Sequence, residues 1–207
     1  VLEFGNLSVL PSNQEVCSGD MSSPIVFTAD PLAYTIVWRV LQENGLPALP
    51  GSIAGVEPVI GLGLGAATIP PWTLTNNGDE PYTFSVEASV PCPAADPLIH
   101  EITVYPEAVI EVDPNEDSLC SGETFEVDIS VNTGEAWVWT STSDPEVSGA
   151  SNGAGLNISD ALTNSGTTPS EVTYTIALAT PNCPTQDVMV SVDVLPGVPA
   201  LSLNALA

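Results

Sequence analysis

The chain has 207 residues, 43% of them hydrophobic, with 26 Asp plus Glu against a single basic residue, Arg39, and a formal net charge of −25. A chain so poor in cations cannot neutralise phosphates, which excludes nucleic acid as a partner, and an anionic membrane surface would repel it. The absence of Lys also removes Schiff-base lysines, P-loop lysines and Lys–Asn isopeptide staples from the available chemistry.

In chain order, Val1-Leu2-Glu3-Phe4-Gly5 lacks the basic start and apolar core of a signal peptide, so the sequence reads as cut from a longer chain or processed. A lead-in, Leu7-Ser8-Val9-Leu10-Pro11, precedes Val16-Cys17-Ser18-Gly19-Asp20. Val37-Trp38 follows, and then a Gly- and Pro-rich stretch from about 42 to 71. Leu74-Thr75-Asn76-Asn77-Gly78, Tyr82-Thr83-Phe84, Cys92-Pro93 and Thr103-Val104-Tyr105-Pro106 complete the first half. The longest apolar stretch, near Val59 to Pro71, is too short and too interrupted to span a bilayer.

The same motifs then recur in the same order. Ile110-Glu111-Val112-Asp113-Pro114 leads to Leu119-Cys120-Ser121-Gly122-Glu123. Val138-Trp139, Leu162-Thr163-Asn164-Ser165-Gly166, Tyr174-Thr175-Ile176, Cys183-Pro184 and Asp193-Val194-Leu195-Pro196 follow. Chance similarity does not preserve order, so the chain is an internal repeat. The repeats span 1–105 and 106–196, the first longer by an insertion at about 42–71. Ala200-Leu201-Ser202-Leu203, within 197–207, reads as the start of a third repeat or a linker.

Within the second repeat apolar residues alternate with polar ones: Phe125, Val127, Ile129 and Val131; Val172, Tyr174, Ile176 and Leu178; Val188, Val190, Val192 and Val194. Period two places each set on one face of a strand. Asn132-Thr133-Gly134, Asp144-Pro145, Ser151-Asn152-Gly153 and Asn164-Ser165-Gly166 separate the runs as turns. Short strands in repeats of this length, each with a Trp between two Cys, predict tandem all-β immunoglobulin-like sandwiches. Trp38, Trp139, Tyr82 and Tyr174 are the expected core aromatics. Four cysteines allow three pairings. The repeat selects Cys17–Cys92 and Cys120–Cys183, one bridge per domain tying sandwich ends, each stabilising by roughly 4 kcal/mol in the chain-entropy picture. Disulfides imply an oxidising, extracellular setting.

The order Cys-Ser-Gly, Val-Trp, Leu-Thr-Asn, Tyr-Thr, Cys-Pro and Val-x-Val-x-Pro resembles the PKD-like, immunoglobulin-like repeats of giant cell-surface adhesins of Bacteroidota, the gliding-motility type exported by type IX secretion. The second repeat carries the likeness best, through Leu119-Cys120-Ser121-Gly122, Trp139, Tyr174 and Cys183-Pro184. The resemblance implies a non-enzymatic structural module of a surface filament on a bacterial cell, acting as a semi-rigid stalk in adhesion or gliding. Neighbouring repeats would be its partners, with surface glycans or other filament chains as further ones. The rival reading is a carbohydrate-binding accessory module of a secreted polysaccharide-degrading enzyme, with Trp72, Trp137 and the tyrosines as a stacking platform.

Other candidate sites follow from residue type. His100, the sole His, is expected at a strand edge or in a loop, and no Gly-x-Ser-x-Gly accompanies it to make a triad. Asp113, Glu116 and Asp117 crowd the approach to Cys120 and form a candidate site for structural calcium, which takes oxygen ligands. Further carboxylates stand at Glu107, Glu111, Asp79, Glu80, Asp144 and Glu146. Asp117-Ser118-Leu119 resembles the three-residue O-glycosylation signal of Bacteroidota, making Ser118 a modification candidate.

Overall fold

The computed structural model describes residues 6–30, 32–42, 53–90, 96–114, 117–155 and 157–197. The chain divides into two compact units, Val1–Glu107 and Ala108–Ala207. Among the described residues regular structure is strand throughout, and no helix is long and apolar enough to cross a membrane.

Unit 1 runs β1 (Asn6–Leu10), β2 (Gln14–Cys17), β3 (Ile25–Asp30), β4 (Thr35–Gln42), β5 (Ile53–Ala54), β6 (Ile60–Leu64), β7 (Ala66–Ile69), β8 (Thr75–Asn76), β9 (Tyr82–Ser89) and β10 (Leu98–Tyr105). Unit 2 runs β11 (Ile110–Pro114), β12 (Ser118–Cys120), β13 (Thr124–Val131), β14 (Trp137–Ser143), β15 (Val147–Ser148), β16 (Gly153–Ala154), β17 (Asn157–Ala161), β18 (Thr163–Asn164), β19 (Ser170–Leu178) and β20 (Val188–Leu195).

The topology is the same twice. A three-stranded sheet, β1-β3-β7 or β11-β13-β17, accompanies a five-stranded sheet, β2-β10-β9-β4-β6 or β12-β20-β19-β14-β16. A short β5-β8 or β15-β18 pair completes each unit. Pairing is antiparallel except between β2 and β10 and between β12 and β20, which run parallel. This is an immunoglobulin-like sandwich: alternate residues of the two sheets face each other and exclude water.

The cores follow the alternation. In unit 2 Phe125, Val127 and Ile129 of β13 face Val172, Tyr174 and Ile176 of β19 and Val190, Val192 and Val194 of β20 in one buried cluster. Phe125 and Tyr174 stack with ring centroids 5.6 Å apart. In unit 1 Ile25, Phe27, Ile36, Phe84, Val86, Ile102 and Val104 form the corresponding cluster, which also takes in Trp72. Burying a side chain of this size contributes about 1.5–3 kcal/mol, so each unit has enough apolar material to fold around its own centre.

Register corrects two sequence expectations. Tyr82 stands opposite Val104, and its counterpart opposite Val194 is Ser170. Tyr174 stands opposite Val190, and its counterpart opposite His100 is Val86. The two Tyr-Thr motifs are therefore four positions out of register, and Tyr82 is only half-buried while Tyr174 is fully buried. The extra length of unit 1 is also not one insertion. Matched pairs Trp38 and Trp139, Ile53 and Val147, Gly61 and Gly153, and Asn76 and Asn164 close in on each other stepwise, so the difference is spread over three connections. Part of that stretch, 43–52, lies outside the described residues.

Candidate functional site

The motif that best reveals the repeat builds the trailing end of each sandwich, where the chain leaves it. In unit 2 the Ser121 hydroxyl accepts from the Asn164 amide at 3.0 Å and donates to the Asn164 carbonyl at 3.2 Å. The Asn164 side chain then donates to the carbonyls of Thr168 (2.8 Å) and Val194 (2.7 Å) and accepts from the Gly166 amide (2.7 Å). Ser18 and Asn76 repeat every bond in unit 1, to Glu80, Val104 and Gly78. Gly122, at φ +95°, directs its amide to the Leu162 carbonyl at 2.7 Å, as Gly19, at φ +90°, does to Leu74. A side chain is strained at that φ, which accounts for the glycine in Cys-Ser-Gly. Asn164 is 4% exposed, so its side chain needs these partners in place of water.

The Trp of each repeated Val-Trp motif is seated on a glycine. Trp139 stands opposite Gly153 on β16 and Trp38 opposite Gly61 on β6, and a Cβ on either glycine would meet the indole at 2.6 Å. Trp139 is anchored by its Nε1 donating to the Ser151 carbonyl at 3.1 Å. Trp72 is 2% exposed and donates to the Glu57 carbonyl at 2.8 Å. Trp38 and Trp139 are buried as well. Trp137 is half-buried against the unit 2 core, and its Nε1 has no partner among the described residues. The expected stacking platform thus loses Trp72 to the core.

His100 corrects its expectation too. It lies within β10 and is fully buried. Its Nε2 meets Gln14 Nε2 at 3.1 Å. The Gln14 amide oxygen accepts from the Ser23 amide, so Nε2 is the acceptor and the imidazole is neutral with its proton on Nδ1. Burial holds its pKa below the usual histidine value, against smaller upward pulls from the Pro11 carbonyl and Glu101. In unit 2 the buried polar pair is a different one. Tyr174 donates to Asp160 at 2.7 Å, and Asp160 also accepts from the Ser151 amide and hydroxyl. Burial and Asp160 push the Tyr174 phenol far above its ordinary pKa.

Of the calcium candidates, Glu116 lies outside the described residues, while Asp113 and Asp117 are exposed. Asp113 instead faces Asp128 across β11 and β13, and with Pro114 and Glu126 they line an open groove of about 320 Å³. Among the described residues no three or more His, Cys, Asp or Glu converge as a metal site. Ser118 is exposed on β12 opposite Asp193.

The cysteines do not follow the expected pairing. Cys17 and Cys183 are disulfide-bonded, but Cys120 is an exposed free thiol, so the Cys120–Cys183 bridge is not formed. Register supplies the reason. Cys120 stands opposite Leu195, the last residue of β20, whereas Cys183 precedes the first, Val188. A strand of this length separates its ends by about 23 Å at roughly 3.3 Å per residue, and a disulfide requires Cα atoms about 4.4–6.8 Å apart. Cys92, the expected partner of Cys17, lies outside the described residues.

Known proteins are similar at the level of the domain. The PKD-like domain family matches residues 117–198, nearly all of unit 2. No curated protein matches the sequence. Among solved structures the two-domain Ig1+Ig2 fragment of DIP-gamma is 8% identical, with 93% of this chain and 98% of that one covered and a TM-score of 0.47. The D00-D0 domains of intimin are 13% identical, covering 93% and 100%, at a TM-score of 0.42. The Yersinia pseudotuberculosis adhesin InvE is 14% identical over 92% of this chain, at a TM-score of 0.34, and this chain spans 58% of its length. Unit 2 is therefore similar to a PKD-like domain, on an immunoglobulin-like fold that unit 1 repeats strand for strand.

Proposed function

We propose that the chain is a structural repeat module of a large extracellular surface adhesin or filament, serving as a semi-rigid stalk in adhesion or gliding motility. The observation that carries this reading is the duplication of the Ser–Asn clamp. Residues repeated identically between the units, Ser18 with Asn76 and Ser121 with Asn164, are spent on holding strand ends together. A module selected for a ligand would keep its best-matched residues in a binding surface; this one keeps them in the joints of the sandwich. The excess of carboxylates fits a surface array, since like charge holds neighbouring chains apart and in solution. Bonded cysteines fit an oxidising exterior.

The proposal places the parent on the outside of a bacterial cell, exported by type IX secretion, with neighbouring repeats as its constant partners. Immunogold electron microscopy of intact cells, with antibodies raised against this chain, tests it. Labelled filaments at the surface are the expected result. Label confined to the culture fluid alongside a polysaccharide-degrading activity would transfer the module to the rival, carbohydrate-binding reading.

A further inference from the structure

Strand β6 of unit 1 reverses the usual alternation. Its inward positions are Gly61 and Gly63. A Cβ on Gly61 would meet the Trp38 indole at 2.6 Å, and one on Gly63 would collide with the Ala66 carbonyl. Its outward positions are Ile60, Leu62 and Leu64, which are 60%, 72% and 74% exposed. The strand thus spends no side chain on its own core and presents three large apolar ones to solvent. It also ends the five-stranded sheet, with β4 as its one strand neighbour among the described residues. Sheet edges are ordinarily blunted by charge or Pro, and Ile60–Leu64 carries neither. Unit 2 shows the blunted form of the same edge. There β16 is only two residues long, and Ala154 stands opposite Val138 as Leu62 stands opposite Val37. Asn152, which precedes Gly153 as Ile60 precedes Gly61, is turned back to accept from the Ser141 amide at 2.7 Å.

We propose that the β6 edge is a docking site for a second copy of this chain: two β6 strands pair antiparallel about a two-fold axis through Leu62, joining their five-stranded sheets into one. In that register Leu62 meets Leu62 and Ile60 meets Leu64, so Ile60-Gly61-Leu62-Gly63-Leu64 is its own complement. Charge selects the second copy as occupant. Two chains of net charge −25 repel wherever their carboxylates face each other. No charged residue lies between Glu57 and Asp79. The charged pair beside the strand, Arg39 opposite Ile60 with Glu87 at 2.9 Å, is neutralised within the chain. This edge is therefore where a second copy meets little repulsion, and main-chain hydrogen bonds with apolar burial supply the attraction. The carboxylates elsewhere oppose pairing at long range, so pairing strengthens as salt screens them. The inference concerns the edge of unit 1 and does not rest on the stalk reading.

Sedimentation equilibrium of the whole chain tests this, with the exposed thiol of Cys120 first blocked by iodoacetamide so that it forms no disulfide dimer. The expected result is a monomer–dimer equilibrium that moves toward dimer from about 0.01 M to about 1 M salt, as the screening length falls from about 30 Å to about 3 Å. Hydrogen exchange at residues 60–64 is expected to slow in the dimer. Leu62→Ala and Ile60→Asn copy Ala154 and Asn152 of unit 2, and each acts twice across the two-fold axis. Each is expected to raise the dissociation constant at least about tenfold. Both side chains are exposed, so the far-ultraviolet spectrum and the melting temperature of the dilute monomer should stay those of the parent protein. A chain that remains monomeric at millimolar concentration in high salt would overturn the proposal and leave the edge to a partner of another sequence. A dimer that survives both substitutions would overturn it too, as would a series of higher oligomers, which a closed two-fold contact cannot form.

Discussion

Ser121 and Asn164, 43 residues apart in sequence, exchange two hydrogen bonds through one hydroxyl, which accepts from the Asn164 amide and donates to its carbonyl. The hydroxyl thus serves the edge of β18 turned away from β15, its one strand neighbour among the described residues, while the Asn164 side chain reaches β20. Asn164→Ala should destabilise unit 2 by about 1–3 kcal/mol, because the Val194 carbonyl loses its donor while buried and the Thr168 carbonyl must turn to water. Ser121→Ala should cost about 1 kcal/mol. Urea denaturation of each variant checks both figures, and an Asn164→Ala midpoint equal to that of the parent protein would contradict the clamp.

The Trp–Gly contact predicts a second pair of effects. Gly153→Ala forces the Trp139 indole to move, since the new methyl would lie 2.6 Å from it; overpacking of this kind costs about 1–3 kcal/mol. Gly149→Ala should be worse. Its Cβ would meet the Ala161 carbonyl oxygen, a backbone atom that cannot rotate away, at φ +104°. Tryptophan fluorescence during thermal unfolding reads both, with a shifted emission in the folded state expected for Gly153→Ala alone.

His100 makes unit 1 sensitive to mild acid. Its folded pKa lies below the unfolded value of 6.5, so the unfolded chain binds the proton more readily. The stability difference is absent above about pH 6.5, and stability falls as pH drops below that value. His100→Val, which copies Val190 of unit 2, should remove this dependence. Melting temperatures between pH 7.5 and 5.5 should fall for the parent more steeply than for the variant. Parallel slopes would show that the imidazole does not resist protonation. Above pH 5.5 most carboxylates stay ionised, which keeps the window clean.

The facing carboxylates Asp113 and Asp128 repel across β11 and β13. Asp128→Asn should therefore raise the melting temperature at low ionic strength. The gain should shrink in molar salt, where the screening length falls to about 3 Å. A gain that salt leaves untouched would point to a cause other than charge.

Much of this fold was legible because period two is a local property. The runs through Phe125, Tyr174 and Val192 show their buried face without any knowledge of their partners. What the alternation cannot show is which strands meet and in what direction. The parallel union of β12 with β20 rests on long-range register, and nothing in Ser118-Leu119-Cys120 announces it. The same gap misled the cysteine pairing: the motif placed both cysteines in one repeat, while strand length keeps them at opposite ends of it. Tyr82 matches Tyr174 in sequence because both precede Thr, yet the register makes Ser170 the counterpart of Tyr82. His100 reads as peripheral because it precedes the run Glu101-Ile102-Thr103-Val104, whereas β10 begins two residues earlier at Leu98. Its burial depends on Gln14, which approaches from another strand. Asn164 reads from sequence as a turn residue, and only the folded chain shows it and Asn76 reaching the final strand of their units.

The parallel pairing of an early strand with the last one in each unit has a mechanical consequence. The chain enters β2 at Gln14 and leaves β10 at Tyr105, and because Gln14 stands opposite Ile102 and Cys17 opposite Tyr105, the two strands point the same way. Tension applied through the two termini drags them past one another lengthwise. The hydrogen bonds between them then bear load together and must rupture as a group, whereas an antiparallel hairpin pulled from its open ends would unzip one rung at a time. The same holds for β12 and β20, so each sandwich resists stretching along the direction in which a tethered filament would be pulled.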